Sequence, residues 1–339
     1  MAELSHRALR EMIENFGGCD TYFTEMISAG ALVSGGPFES WYTDAGPCPE
    51  RVVYQLVGAQ PEHLAAAAAL LDRYECAGID INMGCSAPAI TRTGAGVRWM
   101  ASIDRAGTLM ERVRNHTRRR LSVKLRIGFE EDFDYLLCFC RRLAEAGVEL
   151  ITLHPRTARE KFKRRARWEY VDRLRRELQI PVAGNGDIAS ADDLRRLGNG
   201  QSAGEPSWDA VMIGRLAVRA PWIFALARNG EPWPGAFNGR LHVPPSAIPA
   251  MPASIDLEEE GLRFLDLLTR YQPPEFHLSR ARRFFFYFCD NLTWANYLKT
   301  LLNREGGLTG IAAVWSAYFR EHPAERRLDL SVTRPGRNG

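Results

Sequence analysis

Short apolar runs alternate with amphipathic stretches along the first two thirds of the chain. Residues 19 to 26 (CDTYFTEM), 51 to 57 (RVVYQLV), 78 to 83 (GIDINM), 121 to 126 (LSVKLR), 149 to 154 (ELITLH), 181 to 185 (PVAGN) and 208 to 213 (WDAVMI) each read as a strand, being short, rich in apolar residues and followed by turn formers or polar residues. Most are followed by a helical period. Helices are expected over 61 to 76, opened by Pro61, over 131 to 147, closed by Gly147, and over 190 to 198, where Ser190 precedes Asp192 and Asp193. Strand and helix alternating this often imply a parallel sheet, doubly wound or closed into a barrel.

A closed (β/α)8 TIM barrel needs eight such units, and seven are legible. The chain opens directly on a candidate helix, about residues 5 to 16. Its strand would lie before Met1, so the first strand is expected to be missing from a truncated start. From 230 to 255 the texture becomes proline-rich and aperiodic (EPWPGAFNGRLHVPPSAIPAMPAS over 231 to 254), the signature of a linker. Beyond it, 256 to 271, 275 to 303 and 308 to 321 read as three amphipathic helices. The expected organisation is a catalytic barrel over 1–229, a linker over 230–255 and a small C-terminal helical domain over 256–335.

Composition narrows the setting. A formal charge of +3 over 339 residues leaves any nucleic-acid affinity to local clustering. Seven cysteines without regular spacing argue against a disulfide framework and for a reducing, cytoplasmic location. Cys138 and Cys140 are too close for a metal knuckle, so no metal is expected. The N-terminus lacks a signal-peptide pattern, and no stretch approaches the roughly 20 apolar residues of a membrane span. A monomer without membrane association is expected.

The candidate chemistry lies at the strand ends, which in a barrel share one mouth. The strand GIDINM empties through Gly84 into Cys85, a lone thiol that can donate a proton. Gln55, Lys124, Arg126, His154, Asn185-Gly186-Asp187 and Gly214-Arg215 sit at or beyond other strand ends. A lysine inside an apolar strand requires an anionic partner, and for Lys124 a ligand is the expected one. The glycines and Arg215 of the last two loops, with a helix N-terminus near Ala220-Pro221, have the features of a phosphate site. Together these groups suit a phosphorylated planar cofactor such as FMN, with Lys124 near the charge of the reduced ring and Gln55 at its amide edge.

The motifs TEMISA (24 to 29), DINMGC (80 to 85), VKLRIG (123 to 128), HPRT (154 to 157), NGDI (185 to 188) and VMIGR (211 to 215), with Pro221-Trp222 beyond, resemble in order and spacing the tRNA-dihydrouridine synthases. The resemblance covers essentially residues 1 to 335. It implies a flavin barrel that reduces the 5,6 double bond of selected uridines in tRNA, with FMN as cofactor and NADPH as electron donor. By position, Cys85 matches the general acid and Asn82 the residue beside the target uracil. Gln55, Lys124, His154, Asn185, Gly186, Asp187, Gly214 and Arg215 match FMN contacts, and Met1 and Ala2 would reach the flavin from a free chain end. Ser86 stands where the family writes proline and Pro155 where it writes glycine, and the resemblance places the family's first strand before Met1.

The run RTAREKFKRRAR, leaving the expected mouth, gathers Arg156, Arg159, Lys161, Lys163, Arg164, Arg165 and Arg167 against the single acid Glu160. Beside a uracil-reducing site it is a candidate phosphate-gripping patch. Arg280, Arg282 and Arg283 could add a second strip, and the aromatic run Phe284 to Phe288 is expected as core of the helical domain. Two other functions fit the same residues: a small-molecule FMN-barrel reductase of the dihydroorotate or enoate type, and a noncatalytic RNA-binding protein with a degenerate barrel.

Overall fold

In a computed structural model, residues 1–160, 163–198, 208–228 and 252–330 are described. All seven expected strands form: β1 (Tyr22–Ser28), β2 (Val52–Val57), β3 (Gly78–Met83), β4 (Leu121–Gly128), β5 (Leu150–Thr157), β6 (Val182–Asn185) and β7 (Ala210–Met212). They pair in parallel in sequential order, β1 to β7, with intervening helices. This is the strand order of a TIM-type α/β barrel, and the sheet curls so that side chains from non-adjacent strands meet inside it. β1 and β7 are its edges. Residues at the start of the chain touch both: the Glu3 amide donates to Glu25 of β1 at 2.5 Å, and a Cβ placed on Gly214, just past β7, would lie 3.2 Å from the Met1 sulfur.

Local chemistry sets the helix starts. Pro61 opens Pro61–Leu71, the Asp132 carboxylate caps Phe133–Glu145 by accepting from the Tyr135 amide at 2.9 Å, and Ser190 with Asp193 forms a reciprocal cap on Ala191–Gly198. The 61–76 helix ends five residues early, at Leu71, where Asp72 accepts from the Thr117 hydroxyl instead. Gly184 in β6 lets Trp168 pack close against the strand, since a Cβ there would come within 2.1 Å of the indole.

The C-terminal region is helical, with one correction. The single helix expected over 275–303 is two, Pro274–Phe288 and Ala295–Arg304, separated by a 3-10 turn at Cys289–Asn291 and extended backbone at Leu292. Asn291 causes the break: its side-chain amide donates to the Phe288 and Arg219 carbonyls, competing with helical pairing. Leu257–Tyr271 and Leu308–Glu321 complete the bundle. Phe284, Phe285 and Phe288 are core as expected, with Phe264 stacked on Phe284 at 3.7 Å between centroids, but Phe286 is 50% exposed under the Lys299 ammonium. An unforeseen antiparallel pair, β8 (Ser254–Asp256) with β9 (Arg327–Asp329), ties the two ends of the bundle together. Most of the expected linker, residues 229–251, lies outside the described residues.

Candidate active site

Strand register places the site in rows. Gln55 of β2 lies beside Asp80 of β3, and Asp80 beside Ser122 of β4; two residues on, Asn82 lies beside Lys124, and Lys124 beside Thr152 of β5. Because alternate residues of a strand share a face, Asp80 and Asn82, Lys124 and Arg126, and His154 and Arg156 point into the same interior.

The lower row is a buried polar network. The Gln55 amide donates to Asp80 at 2.7 Å, the Ser122 hydroxyl donates to the other Asp80 oxygen at 2.6 Å, and the Asn82 amide donates to the Gln55 carbonyl at 3.0 Å. Burial pushes the Asp80 carboxyl up to about 6, against the opposing pull of Ser122, Gln55 and Lys124. The Asn82 carbonyl turns outward and accepts from the Gly84 and Cys85 amides at 3.2 and 2.9 Å, closing the turn that carries the half-buried Cys85. The Cys85 carbonyl in turn accepts from Val97 at 3.0 Å, over Gly96, whose left-handed φ of 62° and close approach leave no room for a Cβ.

Above this row, the Lys124 ammonium donates to Asn185 at 3.0 Å, across the barrel from β4 to β6, and Asn185 donates to the Met212 carbonyl of β7 at 2.7 Å. Burial and the neighbouring Arg126 charge pull Lys124 down to about 8, with Asp80 and Cys85 pulling the other way. Arg126 braces the thiol's loop by donating to the Gly84 carbonyl at 3.0 Å and to Thr157 at 3.1 Å. His154 is neutral: burial first, then Lys124, Arg126, Arg156 and Arg215, push it down to about 2. Arg156 donates to its Nε2 at 3.0 Å, so the ring proton sits on Nδ1. An anion bound there would relieve the mutual repulsion of these cations, and this fits the residues to a phosphorylated ligand. Gly186 backs onto the imidazole, where a Cβ would lie 3.1 Å from the ring. Asp187, Gly214 and Arg215 lie on the same side, with Arg215 3.8 Å from Asp187. The helix expected near Ala220 is instead a short one, Arg215–Arg219, starting directly after Gly214, followed by Ile223–Arg228.

The basic patch requires correction. Arg156 is 2% exposed and donates to both oxygens of Asp187 at 2.5 and 2.6 Å, so it belongs to the barrel interior, not to an RNA face. Arg280 is 3% exposed and paired with Glu25 at 2.8 Å. Arg167 is engaged by Glu160 at 2.7 and 2.9 Å, and Arg282 donates to the Glu305 carbonyl at 2.8 Å. Arg159, Lys163, Arg164, Arg165 and Arg283 remain exposed. Lys161 lies outside the described residues.

Sequence reasoning assigned no role to Asp80 or Ser122, and it placed Arg126 at its strand end without the brace it gives the Cys85 loop. Their shared strand parity with Asn82 and Lys124 was the available signal. Among the described residues, no group of three or more His, Cys, Asp or Glu is placed to hold a metal, and no helix is long and apolar enough to cross a membrane.

A family model described as dihydrouridine synthase matches residues 1–235. A probable tRNA-dihydrouridine synthase of Aquifex aeolicus (strain VF5) is 34% identical over 233 residues, 66% of this chain and 69% of that protein. A tRNA-dihydrouridine(16) synthase of Ralstonia nicotianae is 30% identical over 234 residues, 66% and 69% of the two chains. The tRNA-dihydrouridine synthase B of Pasteurella multocida (strain Pm70) is 28% identical over 238 residues, 68% and 67%.

Proposed function

The chain belongs to the dihydrouridine synthase family, and from that premise we propose that it is an oxidoreductase that reduces selected uridines of tRNA to 5,6-dihydrouridine, with FMN as cofactor and NADPH as reductant. The observation that carries the reading is the juxtaposition of two features around β3 and β4: a half-buried thiol, Cys85, on a loop braced by Asn82 and Arg126, and a half-buried ammonium, Lys124, aimed across the same mouth.

FMN bound in the mouth and reduced by NADPH would supply the hydride for carbon 6 of uracil. The chain does the rest. Cys85 gives its proton to carbon 5 from the opposite face, and Asn82 holds the thiol's turn beside the base. Lys124 brings positive charge to the edge where negative charge develops, and Gln55 presents its remaining hydrogen-bonding capacity to the cofactor's amide edge. Met1, Ala2, His154, Asn185, Gly186, Asp187, Gly214 and Arg215 form the remaining cofactor wall. The barrel, residues 1–229, holds this machinery; the helical region, 256–335, joined through 230–255, docks the RNA. Extruding a uridine from its stack costs a few kcal/mol, which phosphate contacts by Arg159, Lys163, Arg164, Arg165 and Arg283 would offset.

The test is direct. The purified protein should be yellow and should oxidise NADPH in the presence of unmodified tRNA, and mass analysis should find the product two mass units heavier at uridine. A colourless protein that binds tRNA without turnover, or NADPH oxidation driven by small enoates and not by tRNA, would overturn the reading.

A further inference from the structure

We propose that Asp80 is a positioning residue that sets the direction of a hydrogen-bond relay through Gln55 and Asn82 to the backbone of Cys85. This rests on the functional reading above. The two ends of a carboxamide are nearly the same shape, so packing alone does not choose which end points where; the partner's chemistry does. An ionised carboxylate only accepts. Asp80, wholly buried between register partners Gln55 and Ser122, therefore takes the N–H end of Gln55. The Gln55 carbonyl is left to face Asn82 and takes its N–H end at 3.0 Å. The Asn82 carbonyl is then left to face the turn, where it holds the Gly84 and Cys85 amides. An acceptor-only carboxylate at one end and donor-only backbone amides at the other thus order two reversible amides that carry the thiol's turn. Nothing in this chain of contacts requires Asp80 to touch substrate or cofactor.

Ser122 provides the test, because a hydroxyl can donate or accept. In Asp80→Asn, the new amide can donate to Ser122 and still accept from Gln55, so the relay keeps its direction. In Ser122→Ala, Asp80 still only accepts. In the double variant Asp80→Asn/Ser122→Ala the direction is no longer dictated from the residue 80 end and rests on the Gly84 and Cys85 amides alone. With Asp80 ionised in the parent, Ser122→Ala alone should change the single-turnover rate of dihydrouridine formation by less than about twofold, whereas in the Asp80→Asn background it should lower that rate by about tenfold or more. KM for tRNA and the rate of flavin reduction by NADPH should not follow this pattern. Independent effects of the two substitutions would overturn the proposal.

A second arm reverses the relay. Asn82→Asp puts two acceptors at opposite ends of Gln55 and should loosen the turn, raising iodoacetamide alkylation of Cys85 about fivefold. Adding Asp80→Asn lets residue 80 donate to Gln55 and accept from Ser122, so alkylation and the thermal midpoint should return towards the parent values. Failure of that rescue would also overturn the proposal. Alkylation needs no tRNA turnover, so an inactive parent protein would sink the functional reading while leaving the relay measurable.

Discussion

Arg280, in the helix Pro274–Phe288, donates to the carboxylate of Glu25 in β1 at 2.8 Å across 255 positions of sequence, and both side chains are buried. Arg280 also lies 4.7 Å over the Phe276 ring. The pair joins the helical region to the barrel, and removing one partner would leave the other charge buried and unmatched. Arg280→Met or Glu25→Gln should each lower unfolding free energy by about 3–5 kcal/mol, and the double variant should cost less than the sum. Urea unfolding of the four proteins reads the cycle; additive losses would show that the two residues act separately.

Cys85→Ala should retain flavin absorbance, because no described contact of the thiol holds the cofactor site together, while dihydrouridine formation should fall by at least about a hundredfold. Turnover at the parent rate in this variant would reassign the proton donor.

Lys124 is drawn down to about 8 mainly by burial, so its positive charge is present below that pH and lost above it. FMN affinity of the apoprotein should therefore weaken as pH rises through about 8. Lys124→Arg, which stays charged, should abolish that fall, as fluorescence quenching of FMN across the range would reveal.

Exposed cations on the loop after β5 should set the salt dependence of RNA binding. Converting Lys163, Arg164 and Arg165 together to glutamate should weaken tRNA binding and make log K less steep against log salt by about two to three units. Arg164, 75% exposed, should contribute to that slope. An unchanged slope in a filter-binding titration would remove this loop from the interface.

Acid stability should be governed in part by buried neutral imidazoles. His6 lies in the same cluster as Arg280, and burial, then Arg280 and Arg10, hold it well below its ordinary 6.5; His154 is held at about 2. Below pH 6.5 each binds a proton only when the chain unfolds, so each lowers stability as pH falls, by about 1.4 kcal/mol per pH unit. Asp80, raised to about 6, works in the opposite sense as pH falls from there towards its ordinary range. His6→Leu should reduce the slope of unfolding free energy between pH 6.5 and 5 by about one proton, measured by urea titration at several pH values.

The strands were legible because parallel strands buried on both faces must be short and apolar, and the helix starts at Pro61 and Ser190 are set within one turn of chain. The break at Asn291 escaped notice because its cause is a carbonyl, Arg219, 72 positions away. The same limit misplaced Arg156 and Arg280. Sequence shows a cation among cations, but whether it meets water or a buried carboxylate depends on Asp187 and Glu25, brought there by folding.

The order of residues along the chain was enough to identify the seven parallel strands and the polar and cationic groups at their ends, because strand periodicity and strand-end position are local properties; the choice of a barrel over a doubly wound sheet came from the family resemblance. Which of those groups face one another, which arginines are interior, and how Asp80 reaches Cys85 through two amides were decided only by tertiary structure. A hydrogen bond or ion pair is made by distance in space, and register across β2, β3 and β4 sets that distance.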